Sequence, residues 1–103
     1  MVISITQYQW GRLVVMRIKN EILCKMKSEI MRYAHKIHNE IEQDHFNYVV
    51  NMIDWMLLDR LEITKEIIDQ FLIEVSDIEQ FNPDIDILYS LIEYSKELLR
   101  VKI

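Results

Sequence analysis

From Phe46 to Leu61 the chain reads FNYVVNMIDWMLLDRL, and on a helical wheel its polar residues Asn47, Asn51 and Asp54 fall on one narrow line. Phe46, Val49, Val50, Ile53, Met56 and Leu57 fill the opposite side, and Tyr48, Met52 and Trp55 carry the apolar surface further round. A helix that is apolar over most of its circumference belongs between other helices. The spacing therefore predicts the central helix of a small bundle, capped by Asp44 and running to about Arg60. Upstream, Ile22, Met26, Ile30, Tyr33, Ile37 and Ile41 recur every three or four residues and predict a first long helix over 20–42 with Asn20 as N-cap. Downstream, Thr64 is placed to cap a third helix with Ile67, Ile68, Phe71, Leu72, Val75 and Ile78 on its inner face. Asn82-Pro83 marks the clearest boundary: Asn caps, Pro fits the first helical position, and Asp84 and Asp86 suit the positive end of the helix dipole. Leu88, Leu91, Ile92, Leu98 and Leu99 form the buried face of the last helix. The pattern predicts an all-α antiparallel bundle of about four helices. The first eighteen residues stand apart. Val2, Ile3, Ile5, Thr6, Tyr8 and Trp10 favour strands, Gly11 punctuates, and Leu13, Val14 and Val15 continue the apolar run, so residues 1–18 are expected to form a β-prone or irregular N-terminal arm.

Composition agrees with this picture. At 103 residues the chain is the size of one domain, 1–103, and with half its residues apolar it can build a core. One Gly and one Pro are too few for the turns of a sheet protein, which again favours helices. Cys24 is the only cysteine, so there is no intramolecular disulfide and no metal site built on paired thiols, and a reducing cytoplasm is expected. The opening residues carry neither a basic lead nor an apolar run of signal-peptide length, and no window is long and apolar enough to span a membrane.

Charge changes the picture more. The net charge is -5, but it is unevenly spread. Arg12 to Lys36 holds seven basic residues against two acidic ones, whereas Glu62 to Asp86 holds eight acids against Lys65. Such polarity is a statement about partners and association. On the third helix Glu66, Asp69 and Asp77 surround Ile73, which points away from the inner face; on the fourth, Tyr89 falls between Asp86 and Glu93, again outward. Apolar anchors ringed by acids have the layout of a surface that grips a basic protein, the anchors contributing buried area and the rim steering the encounter. The alternative is a solvated acidic face with two incidental apolar residues.

Chemistry finds less support. His35, His38, Glu42 and His45 would share one side of a helix continued that far, and Glu42 to His45 has the Glu-x-x-His spacing of di-iron bundles. Such a centre needs two of these motifs, and the side faces away from Ile22 to Ile41, so no metal or other cofactor is expected. Cys24 lies in a helix beside Lys25 and Lys27 with no base placed for it, and one glycine cannot make a phosphate-cradling loop. No enzyme activity is expected.

In its profile — small, acidic, helical, without a catalytic set — the chain resembles bacterial immunity and antitoxin-type inhibitors. That resemblance implies a cytoplasmic protein that neutralises a basic toxin, for example a nuclease, by covering its active or nucleic-acid-binding surface. The residues expected to carry it are Glu66, Asp69, Ile73 and Asp77, extended by Asp86, Tyr89 and Glu93. A second reading makes it a small regulatory or phage-type DNA-binding protein that uses the basic stripe Lys19, Lys25, Lys27, Arg32 and Lys36. That stripe can instead pair with acids of neighbouring helices or of a second subunit, and a polarised monomer invites homodimers or head-to-tail association.

Overall fold

The computed structural model describes residues 7–101, with side chains from Gly11 onward. Four α-helices follow one another: α1 (Gln7–Met31), α2 (Glu40–Leu57), α3 (Lys65–Phe81) and α4 (Ile85–Val101), with a 3-10 turn, Arg32–Lys36, between α1 and α2. Each helix packs on the two beside it in a ring, α1 and α3 both lying against α2 and α4. Lys27 meets Asp54 while Lys19, further back on α1, meets Asp59 beyond the end of α2, so these two helices run antiparallel. This is the expected all-α bundle, with no strand among the described residues.

The apolar stripes meet at the centre of the ring. Leu23, Met26, Ile30 and Tyr33 from the first limb pack with Val49, Ile53 and Met56 of α2, Ile68, Phe71, Val75 and Ile78 of α3, and Ile87, Leu91 and Leu98 of α4, all essentially sealed from water. Thr64 caps α3 as its position suggests, its hydroxyl accepting from the Ile67 N–H at 3.1 Å.

The boundaries differ from the sequence expectation in four places. Residues 7–18 are helical and belong to α1 rather than to a separate arm, while residues 1–6 of that expected arm lie outside the described residues. Strand propensity reflects packing on a pleated surface more than an intrinsic backbone preference, and here α1 simply continues from the core. Gly11 presents open space around its missing Cβ, so it costs helix propensity but causes no break. The expected helix 20–42 is interrupted: Ile37 is extended, with φ -88° and ψ 122°, and α2 starts early because Asn39 caps it. The Asn39 side chain accepts from the Glu42 N–H at 2.8 Å, and the Glu42 carboxylate accepts from Asn39 Nδ2 at 2.7 Å, a reciprocal capping pair that displaces Asp44 from the role. At the α3–α4 junction Asn82 ends α3, and Asp84 caps α4 through the Ile87 N–H at 3.3 Å. Finally, α2 is not central. It has two neighbours like the others, which leaves Tyr48 and Trp55 exposed, and Asn47 and Asn51 in water.

One polar network ties three elements together. The buried Tyr33 hydroxyl donates to Glu79 Oε2 at 2.5 Å, and Glu79 Oε1 accepts from the Asp84 N–H at 2.6 Å. Asp84 Oδ2 in turn meets Lys36 Nζ at 2.6 Å, which together with the Ile87 N–H holds the Asp84 carboxyl below its ordinary range. Burial, then the bond to Glu79, pushes the Tyr33 phenol well above its ordinary range. A phenol kept neutral by the fold stabilises it fully below about pH 10, and that contribution is lost as the pH rises further and the unfolded chain ionises. Urea titrations at pH 8 and pH 11 should therefore show wild type more stable than Tyr33→Phe at pH 8, with the gap narrowing at pH 11. A gap independent of pH would remove the role given to Tyr33.

Candidate functional site

The outward faces of α3 and α4 hold the seven residues expected to bind a partner. Ile73 is 55% exposed and Tyr89 64% exposed, because each lies opposite the buried stripe of its own helix. Glu66, Asp69 and Asp86 stand in water, and Asp77 and Glu93 are half-buried. The acids are only partly matched from within. Lys65 Nζ lies 3.5 Å from Asp69, and Lys96 Nζ lies 3.4 Å from Glu93, both pairs within one helix and with side chains largely open to water, where such pairs contribute little. Asp77 leans the other way, toward α2, with His45 Nδ1 at 3.9 Å. The two halves of the set thus sit on neighbouring helices, and no hydrogen bond or ion pair joins them among the described residues.

Sequence reasoning missed part of the apolar surface here. Ile85 is 70% exposed and stands one helical turn before Tyr89, and Phe81, the last residue of α3, is exposed as well. The i, i+4 spacing of Ile85 and Tyr89 is the available signal.

The basic stripe has a different fate. Lys19 reaches Asp59 at 2.7 Å, Lys27 reaches Asp54 at 2.7 Å, and Lys36 reaches Asp84 at 2.6 Å, each across a boundary between elements. Arg32 pairs with Glu29 at 2.8 Å and Arg17 with Glu21 at 3.5 Å on their own limb. These cations are held against the bundle's own carboxylates.

The His35, His38, Glu42 and His45 set does not converge. The extended link after the 3-10 turn puts His35 and His38 in water, and buried Glu42 is committed to Asn39 and to Asn82 Nδ2, the latter at 2.8 Å. His45 turns to α3 instead, its Nδ1 2.7 Å from Glu74 Oε2. Among the described residues His45, Glu74 and Asp77 form the one group with metal-ligand spacing. Imidazole and carboxylate donors suit zinc, but an ion would have to displace the His45–Glu74 hydrogen bond, and that bond already accounts for the contact. Cys24 is exposed, and no helix among the described residues is long and apolar enough to cross a membrane. Compared with known proteins, the chain matches no family, no curated protein and no solved structure.

Proposed function

We propose that this chain is a small acidic protein-binding inhibitor of the immunity or antitoxin type, which grips a basic protein through the outward faces of α3 and α4 and so covers that protein's working surface. The observation that carries the reading is the pair of exposed anchors Ile73 and Tyr89, standing among Glu66, Asp69, Asp77, Asp86 and Glu93. An exposed apolar residue is ordinary by itself; two on adjacent helices, each set among carboxylates, have the arrangement of hot spots inside a charged rim. The engagement of Lys19, Lys27 and Lys36 within the bundle works in the same direction, since it leaves the acids of α3 and α4 to dominate the field outside. A basic toxin such as a nuclease in a bacterial cytoplasm is the target chemistry that suits this surface.

Tagged wild type and the double variant Ile73→Lys/Tyr89→Lys should be used side by side to capture proteins from the source cells, washed at low and high salt. A basic protein held stoichiometrically by wild type should bind the variant more than about 30-fold less tightly, since a single hot-spot anchor contributes 2 kcal/mol or more. The same wild type should leave duplex DNA unretarded at low salt. Retarded DNA, or equal capture by the variant, would dispose of the reading.

A further inference from the structure

We propose that His45, Glu74 and Asp77 hold a single divalent ion of the zinc type, bound across the contact between α2 and α3. The site is independent of the inhibitor reading, although Asp77 belongs to both.

Two packed helices build it. His45 lies in the second turn of α2, and Glu74 and Asp77, three residues apart, share one side of α3. One ligand atom from each of the three lies within 4.8 Å of the other two. His45 Nδ1 is 2.7 Å from Glu74 Oε2 and 3.9 Å from Asp77 Oδ2. The side chains of His45, Glu74 and Asp77 are 30%, 18% and 42% exposed, so the cluster sits in the seam between the helices and is still open to an entering ion.

The hydrogen bond with His45 accounts for the place of Glu74, but not for that of Asp77. At 3.9 Å from Nδ1 the Asp77 carboxylate is beyond hydrogen-bond reach, and it accepts no hydrogen bond among the described residues. No lysine or arginine among the described residues pairs with Glu74 or Asp77. Two carboxylates thus share one imidazole, which carries at most one positive charge. Like charges held this close favour a further cation. Glu74 is also oriented from behind: Gln70 Nε2 donates to its Oε1 at 3.2 Å, leaving Oε2 turned to His45. Outer-shell bonds of this kind fix the direction of a metal ligand.

In the loaded site the ring proton sits on Nε2, and Nδ1 offers its lone pair to the ion. The ion takes the place of the proton between Nδ1 and Glu74, Asp77 supplies the third ligand, and water fills the fourth position of a tetrahedron. One imidazole and two carboxylates suit zinc. Calcium takes about six to eight oxygen ligands and magnesium demands an octahedron, so neither is served by this set.

Isothermal titration of the full chain with zinc chloride tests this without any partner protein. One ion should bind per chain with a Kd on the order of 1–10 μM, weaker than at sites with four protein ligands, and calcium and magnesium should give no binding. Asp77→Asn and Glu74→Gln keep the shape of each side chain and should each weaken zinc at least about 10-fold, a loss that even an outer-shell partner can cause. His35→Ala/His38→Ala/Cys24→Ser removes the exposed donors elsewhere and should leave the affinity unchanged. Nitrogen NMR of the imidazole rings locates the ion on wild type itself, whatever the variants do to folding: the His45 ring should shift, and those of His35 and His38 should not. A Kd weaker than about 100 μM, full affinity in Asp77→Asn, or zinc shifts at His35 or His38 in place of His45 would each overturn the proposal.

Discussion

Replacing Phe71 by alanine is expected to destabilise the bundle by about 3–5 kcal/mol, the largest loss from any single substitution considered for this chain. Phe71 is fully buried on α3, in the same core as Ile53, Met56 and Leu91. Its removal forfeits the transfer of a large ring out of water and leaves a cavity that the surrounding helices cannot close without moving their own side chains. Small domains are stable by only about 5–15 kcal/mol. The variant should therefore unfold at a much lower urea concentration, with a thermal midpoint at least about 12 °C below wild type, given about 4–8 °C per kcal/mol for a domain of this size. A loss under about 1 kcal/mol would mean that the ring does not sit in a close-packed centre. Phe71→Leu, which keeps most of the volume, should recover a large part of the loss.

The second large effect is expected at Glu42, a carboxylate buried near the junction of two helix ends. It accepts from Asn39 at the start of α2 and from Asn82 at the end of α3, so it fastens the entry of one helix to the exit of the next. Glu42→Ala leaves two amide donors without their charged acceptor and breaks the reciprocal cap, at a cost of about 2–3 kcal/mol. The cost should be shared. In a double-mutant cycle with Asn82→Ala, the two losses should fall short of additivity by about 1 kcal/mol, because either change alone already removes the same bond. Chemical denaturation of the four proteins measures this, and strictly additive losses would show that the link between α2 and α3 contributes nothing.

Glu42 is a structural group rather than an outward member of a metal set, and the clue is local: Asn39 and Glu42 have the three-residue spacing of a capping pair. That signal competed with the uninterrupted three-and-four rhythm of Ile30, Tyr33, Ile37 and Ile41, and rhythm does not register a break that restarts in phase. Thr64 had no such competitor and was legible. The N-terminal half of α1 was illegible for the opposite reason, since strand-prone residues and Gly11 gave a local vote that the continuing helix overrode. On α3 and α4 the wheel places Ile73 and Tyr89 outward, as the structure has them, because outwardness is the complement of a well-marked buried stripe. It could not show that Ile41, Tyr48, Trp55 and Leu58 are also outward, because in a ring every helix has two neighbours and an apolar circumference need not be covered.

The ring has one further property. α1 and α4 are adjacent in space and furthest apart in the chain. As the polypeptide leaves the ribosome, α2 can pack on α1 and α3 on α2, whereas the part of α1 that faces α4 has to wait for it. The last turns of α4, with buried Leu98 and half-buried Val101, are thus the latch on the first helix made, and the nascent chain carries an uncovered apolar surface until the final residues of α4 emerge.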